Sequence, residues 1–298
     1  MGYLYVLLAS TLFGLSPTLS ALLQRSGWSN GAVLLNNEVF GGLYLLFLTR
    51  SKGLGLRIKK REFAVAAGLG GISFWGTNIL LQKSYILLPS PGIATVLHFI
   101  YPIFVMVIMA FLFKERLTPP KLLCAVISLW GIVLIADISR MPSQSTGLLT
   151  GVLLATASGA AYAVYIVSNS KSPARGIHPL ILIFYVLMGG AAANSLYLLV
   201  VQDFSLNLAG KNCIYAAALP LCSFLALVTI AEGIRKIGPT RAAIINMLEP
   251  VVSMLVSAAA FPDEVLTVRM FCGGGLILLG TGALAMLNHS GGLDREDV

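Results

Sequence analysis

Apolar runs of about 20 residues, long enough to cross the hydrocarbon of a bilayer as a helix, recur ten times along this chain, each ending in a short polar break. They lie near residues 3–23, 31–49, 63–83, 92–113, 119–138, 147–169, 178–201, 212–231, 241–261 and 266–287. The breaks carry turn chemistry, as in Ser51-Lys52-Gly53, Pro89-Ser90-Pro91-Gly92, Pro119-Pro120 and Ile237-Gly238-Pro239. Of the 298 residues, 57% are hydrophobic and 11% charged, where a soluble domain carries about 25% charged residues. So few polar side chains cannot cover a surface facing water, and lipid must be the solvent. The expected fold class is an all-α integral membrane protein with ten transmembrane helices.

Lysine and arginine orient such a chain. With the N-terminus inside, fifteen of the 20 lie on the cytoplasmic side, six of them (Arg50, Lys52, Arg57, Lys59, Lys60, Arg61) after the second run. Arg25, Lys83, Arg140, Lys211 and Arg269 lie outside. This split predicts both termini in the cytoplasm and a multi-pass protein of the cell (inner) membrane. The net charge of +8 is then a topology signal, and no nucleic-acid partner is expected. Cys124, Cys213, Cys222 and Cys272 lie in or beside apolar runs without paired spacing. They read as small packing residues, with no disulfide framework and no metal site. No basic residue precedes the first run, so a cleavable leader is not expected; Val6 stands where myristoylation of Gly2 wants Ser or Thr. The sequon Asn288-His289-Ser290 falls on the cytoplasmic side.

The runs repeat. At an offset of 148 residues, ATVLHFIYP ending at Pro102 lies over AAIINMLEP ending at Pro250. One residue further on, Lys114-Glu115-Arg116-Leu117-Thr118 lies over Asp263-Glu264-Val265-Leu266-Thr267, and Gly131 over Gly280. Leu8-Ala9-Ser10 aligns with Leu154-Ala155-Thr156 near an offset of 146. The halves are expected at residues 1–140 and 141–288, followed by a cytoplasmic tail, 289–298. Five helices per half is an odd number, so the halves face opposite ways. Inverted repeats of this kind place a binding site near the midplane between them.

Polar residues inside these runs are costly to bury and face a cavity or a partner. Glu249 lies about 12 Å into its run at 1.5 Å per residue, and reads as a proton or amine site or as a structurally paired carboxyl. His98 and Tyr101 share a helical face three residues apart, as do Asn246 and Glu249. Under the repeat these four converge from the two halves. Glu38 reads equally as a gate or proton site or as a packing partner of Asn36 or Asn37. Pro102 and Pro250 free the carbonyls of His98 and Asn246 and kink their helices. Trp75 with Asn78, and Tyr162 with Tyr165, are further candidates for an aromatic and polar cavity wall. Ser10 with Gly14, Gly159 with Ala163, and Gly273-Gly274-Gly275 read as close helix contacts.

LLASTLFG near the start, SPGIATVLHFIYPIFVMVIMAFLFKERLT, LWGIVLI, and their later counterparts GPTRAAIINMLEPVVSMLVSAAAFPDEVLT and LILLGTGAL together resemble the EamA family of the drug/metabolite transporter superfamily. The resemblance covers essentially the whole chain. It implies ten helices, cytoplasmic termini, and export or uptake of small metabolites such as amino acids by alternating access, with no cofactor. One departure stands out: where many members carry an arginine in the second span, this chain has Asn36-Asn37-Glu38. The partners expected are a small-molecule substrate and the bilayer; monomer and homodimer are both open. Proton coupling through Glu249 or His98 stands beside a facilitator or an exchanger. A membrane-embedded enzyme acting on a lipid-soluble substrate and a channel are the alternatives. The enzyme lacks any visible catalytic cluster, such as a Gly-x-Ser-x-Gly elbow.

Overall fold

A computed structural model describes residues 1–88, 91–115, 117–135, 147–171, 176–261 and 266–289. Among them there are helices and short connections, and no strand. In chain order the helices are α1 (Gly2–Arg25), α2 (Asn30–Ser51), α3 (Lys60–Gly68), a π-helical turn (Leu69–Phe74), α4 (Trp75–Leu87), α5 (Pro91–His98) and α6 (Tyr101–Phe113). They continue as α7 (Pro119–Ile135), α8 (Leu148–Lys171), α9 (Pro179–Val201), α10 (Asn212–Ile237), α11 (Pro239–Asn246), α12 (Glu249–Ala260) and α13 (Val268–His289). The boundary expected at residue 140, Arg116, Arg140, Arg175, Asp263, Glu264, Ser290 of the sequon and tail residues 290–298 lie outside the described residues.

Among the described residues, seven helical stretches are long and apolar enough to cross a membrane: α1, α2, Lys60–Ser84, Leu148–Asn169, α9, α10 and Pro239–Ala260. The helices Tyr101–Phe113, Pro119–Ile135 and Val268–Leu284 are apolar but shorter. Large apolar side chains such as Phe47, Ile72, Phe111, Trp130 and Val200 point outward and are exposed. Exposed apolar surface on that scale needs a lipid covering, so the chain is a multi-pass membrane protein.

Two of the expected single spans are each two helices. α5 stops at His98 and α6 starts at Tyr101; α11 stops at Asn246 and α12 starts at Glu249. Across the first gap Ile100 N donates to Leu97 O (3.4 Å) and Ile103 N to Ile100 O (2.9 Å). Across the second, Met247 N donates to Ile244 O (3.2 Å) and Val251 N to Leu248 O (3.0 Å). These three-residue bonds are the tighter 3₁₀ pattern. Pro102 and Pro250 cause it, because each lacks an N–H and crowds the carbonyl four residues back, those of His98 and Asn246. Each proline sits in the first turn of the new helix, where its missing N–H costs nothing.

The third span is also irregular. Its π turn contains Gly70 and Gly71, which favour no regular turn strongly. Gly70 packs on the backbone of Val186 in α9, and Gly189 of α9 packs on the Ala67 carbonyl in return.

α1 lies along α10 and against α11 and α12, and α8 lies along α4 and against α5 and α6. α2 packs on α9, and α7 on α13. Glycine lets these backbones approach. A Cβ on Gly131 would run into Gly273 O, and one on Gly273 would lie 2.5 Å from Gly131 O. The glycine triplet is only partly a contact, since Gly275 has nothing within 4 Å. Cys124 is buried under Gly280, but Cys213 and Cys272 are exposed rather than packed, because their helix faces turn outward.

Both ends of the bundle are tied. At one, the segment before α2 is stitched to the segment after α9 through Ser29 N to Ser205 O (3.0 Å) and Trp28 Nε1 to Asn207 O (2.7 Å). At the other, Glu115 after α6 pairs with buried Lys121 of α7 (3.2 Å) and accepts from Thr240 Oγ1 of α11 (3.2 Å).

Candidate functional site

The two helix breaks face each other. Asn246, fully buried at the end of α11, is the hub. Its amide donates to Tyr101 Oη (3.2 Å) at the start of α6 and to Glu249 Oε2 (3.2 Å) at the start of α12. Its carbonyl accepts from Ser10 Oγ of α1 (3.1 Å). Tyr101 Oη donates its own hydrogen bond to Ala243 O (3.1 Å). Thus Asn246 satisfies both amide hydrogens and its oxygen with three different helices.

His98, at the end of α5, has a matching partner. Its Nδ1 lies 2.9 Å from Ser158 Oγ on α8. Ser158 follows Ser10 by 148 residues, as Asn246 follows His98. Each serine also bonds back into its own helix, Ser10 to Val6 O (2.9 Å) and Ser158 to Ala155 O (2.6 Å). Small residues allow the close fit: a Cβ on Gly14, one turn after Ser10, would lie 3.0 Å from Glu249 O, and one on Gly159, directly after Ser158, 2.5 Å from His98 O. The alignment of Ser10 with Thr156 is therefore two residues off; Ser158 holds the corresponding bond.

An aromatic wall closes the site. Tyr162 meets Tyr101 edge-on (4.8 Å between ring centres) and stacks on Tyr165 (6.0 Å, 15° between planes). His98 touches both Tyr101 and Tyr162, and Phe74 reaches Tyr165 from the π turn. Two polar atoms stay uncommitted. Glu249 is only partly buried, and its Oε1 accepts no hydrogen bond among the described residues. Tyr165 Oη is buried and makes no hydrogen bond among the described residues. A carboxylate oxygen beside Tyr101 and Tyr162 suits a ligand ammonium, held by charge and by the ring quadrupoles.

Trp75, Asn78 and Glu38 stand apart from this cluster. Trp75 turns to α9, where Nε1 donates to Asn194 Oδ1 (3.4 Å) and the ring meets Tyr197. Asn78 bonds back to Phe74 O of its own helix (2.9 Å). The π turn just before them adds a residue per turn and so shifts which face follows; Phe74, not Trp75, meets the tyrosines. Glu38 is buried at the α2–α9 interface beside Gly190. Neither neighbour read as its packing partner holds it: Asn36 Nδ2 instead donates to Ala216 O of α10 (2.9 Å), and Glu38 takes no hydrogen bond among the described residues. Sequence reasoning gave Ser10 only a packing role and passed over Ser158, Phe74 and Asn194. The shared offset of 148 residues is the signal that finds the serines; nothing in the sequence marks the other two.

An all-helical, multi-pass membrane protein in which two proline-broken helices meet through a buried asparagine is the class that this fold and site define. The model of the EamA-like transporter family matches residues 1–136 and again 149–286. An uncharacterized transporter of Archaeoglobus fulgidus is 29% identical over 76% of this chain and 79% of its own length. An uncharacterized transporter of Synechocystis sp. is 31% identical over 71% of this chain and 62% of its own. One crystal structure superposes with a TM-score of 0.81 over 99% of both chains at 20% identity, a likeness of fold. The chain belongs to the EamA-like transporter family.

Proposed function

We propose that this protein carries a small metabolite, an amino acid or a related amine, across the cell membrane by alternating access. Its site is the space between the two helix breaks, and its ten crossings form two inverted halves with cytoplasmic termini. The observation that carries this is the bridge from Tyr101 to Asn246, which joins one broken helix to the other at the centre of the molecule. Its flanking bonds, Ser10 to Asn246 and Ser158 to His98, are equivalent under one sequence offset. The packing supports the inverted repeat: α1 relates to α10, α11 and α12 as α8 relates to α4, α5 and α6, while α2–α9 and α7–α13 pair across the halves.

Glu249 Oε1 takes the substrate ammonium, and Tyr101, Tyr162 and Tyr165 wall it. His98 and Asn246 hold the wall in place from each half. Pro102 and Pro250 supply the break points about which each half changes shape. The closed bridge supports a carrier rather than a channel, and family membership supports transport rather than catalysis. The test is uptake of a labelled amino-acid panel by purified protein in liposomes. Saturable movement of one class is the expected result; movement of none of the panel above protein-free liposomes contradicts the reading.

A further inference from the structure

We propose that Glu38 is a proton-carrying carboxyl, separate from the substrate site, and that its protonation permits α2 and α9 to close. This rests on the transport reading above and adds the coupling ion and its place. Glu38 is fully buried. Gly190 of α9 makes its room, since a Cβ there would lie 2.8 Å from Oε1. Neither carboxyl oxygen accepts a hydrogen bond among the described residues. Asn194, one turn along α9, is the polar side chain that interacts with it; one of its amide hydrogens goes to Gly31 O (3.0 Å) and its oxygen accepts from Trp75 Nε1 (3.4 Å), so a single amide hydrogen is all that Asn194 can turn toward the acid.

The neighbouring helices bring no compensating charge to this level among the described residues. On α9, Tyr185 is bonded to Leu56 O toward one end and Tyr197 meets Trp75 toward the other. On α4, Lys83 lies over the Tyr197 ring. On α10 the mid-helix group is the thiol of Cys222, with Cys213 and Tyr215 in the first turns and Glu232, Arg235 and Lys236 in the last. On α1, Tyr3, Tyr5 and Arg25 stand at the ends. An ionised carboxylate without partners does not stay in such a place, whereas a neutral acid does.

About two turns away on the same pair of helices lies a cleft of about 100 Å³, lined by Gly31, Gln82, Lys83, Tyr197 and Asp203 among others. Its Gly31 carbonyl is the one that Asn194 holds, and Gly31 is about 10 Å up α2 from Glu38 at 1.5 Å per residue. The α2–α9 seam is built on Gly31, Gly41, Gly42 and Gly190, with Leu198, Leu187 and Met188 of α9 seated against the first three, so parting the helices means drawing these flexible side chains out of glycine notches. The exchange balances simply. The carboxylate takes one proton from water on one side, forming an O–H bond, and the seam closes over the neutral acid. When the seam opens to the other side, that O–H gives its proton to water. One proton crosses per cycle.

The test uses the full chain in lipid. Infrared difference spectra across a pH titration are compared for wild type, Glu38→Gln and Glu38→Asp, and the same proteoliposomes are assayed with the labelled amino-acid panel. In the expected result Glu38→Gln loses one protonated-carboxyl band and loses accumulation driven by a pH gradient by about tenfold or more. It keeps exchange at equal pH within about twofold, and Glu38→Asp restores accumulation. An unchanged spectrum in Glu38→Gln overturns the proposal, as does unchanged gradient-driven accumulation. Loss of both accumulation and exchange in a monodisperse Glu38→Gln protein also overturns it, by making Glu38 structural. If wild type moves none of the panel, the transport reading fails on its own, and the infrared band alone upholds or overturns the proton site.

Discussion

Ser158 Oγ lies 2.9 Å from His98 Nδ1, and this contact seats α8 on the end of α5 where the chain breaks ahead of Pro102. The same arrangement between Ser10 and Asn246 seats α1 at the other break. Each broken helix is therefore held by the first helix of the opposite half, and the held ends carry the polar groups of the site.

Asn246 is the costliest of these residues to remove. Asn246→Leu deprives Ser10, Tyr101 and Glu249 of a partner at once. Ser10 and Tyr101 keep Val6 O and Ala243 O, so the main loss falls on Glu249 and on the link between helices, about 1–3 kcal/mol. Unfolding of the purified variant in detergent should show a large loss of stability, with transport down roughly 100-fold. Ser10→Ala should cost about 1 kcal/mol, and equal effects from the two variants would remove Asn246 from its central place.

Tyr101→Phe keeps the ring against Tyr162 and deletes only the hydroxyl that joins α6 to α11. The protein should fold with a loss of about 1–2 kcal/mol. Apparent affinity for substrate should weaken while the amount of folded protein is retained. Transport indistinguishable from wild type would show that the bridge is incidental.

Gly159 and Gly275 offer a paired comparison on helix contacts. Gly159→Ala drives a methyl to 2.5 Å from His98 O, and overpacking of this kind costs about 1–3 kcal/mol. Gly275→Ala meets nothing within 4 Å and should be neutral or stabilising by roughly 0.5–1 kcal/mol, because alanine is the better helix former. Thermal unfolding in detergent measures both; the reverse order would contradict the packing of α8 on α5.

Glu115 ties the end of α6 to α7 and α11 through Lys121 and Thr240. Glu115→Ala should lower stability by about 2–4 kcal/mol, since Lys121 is deeply buried. Thr240→Val should cost about 1 kcal/mol or less. A surface pair would give no measurable change in either case, and that outcome would show this end to be open in solution.

The membrane class and the meeting of Tyr101, Asn246 and Glu249 were readable because hydrophobic run length and a long repeat both leave marks in sequence. What escaped detection depends on single-residue register. Pro102 and Pro250 marked the places where the helices bend, but each span still read as one kinked helix rather than two, because a two-residue 3₁₀ gap does not interrupt hydrophobicity. The π turn at Leu69–Phe74 carries no compositional sign, and it sent Trp75 to α9 and brought Phe74 to the tyrosines. Serine is common in apolar helices, so Ser158 stood out only after His98 and Asn246 were seen side by side with their partners.

Alternating access at this site is tested most directly by Ser158→Cys in a background lacking the four native cysteines. A membrane-impermeant thiol reagent is applied to sealed vesicles of each orientation, with and without a transported amino acid. The account predicts labelling from either side, slowed by substrate on both. Labelling from one side alone, or labelling that substrate never affects, would contradict a central site shared by the two halves.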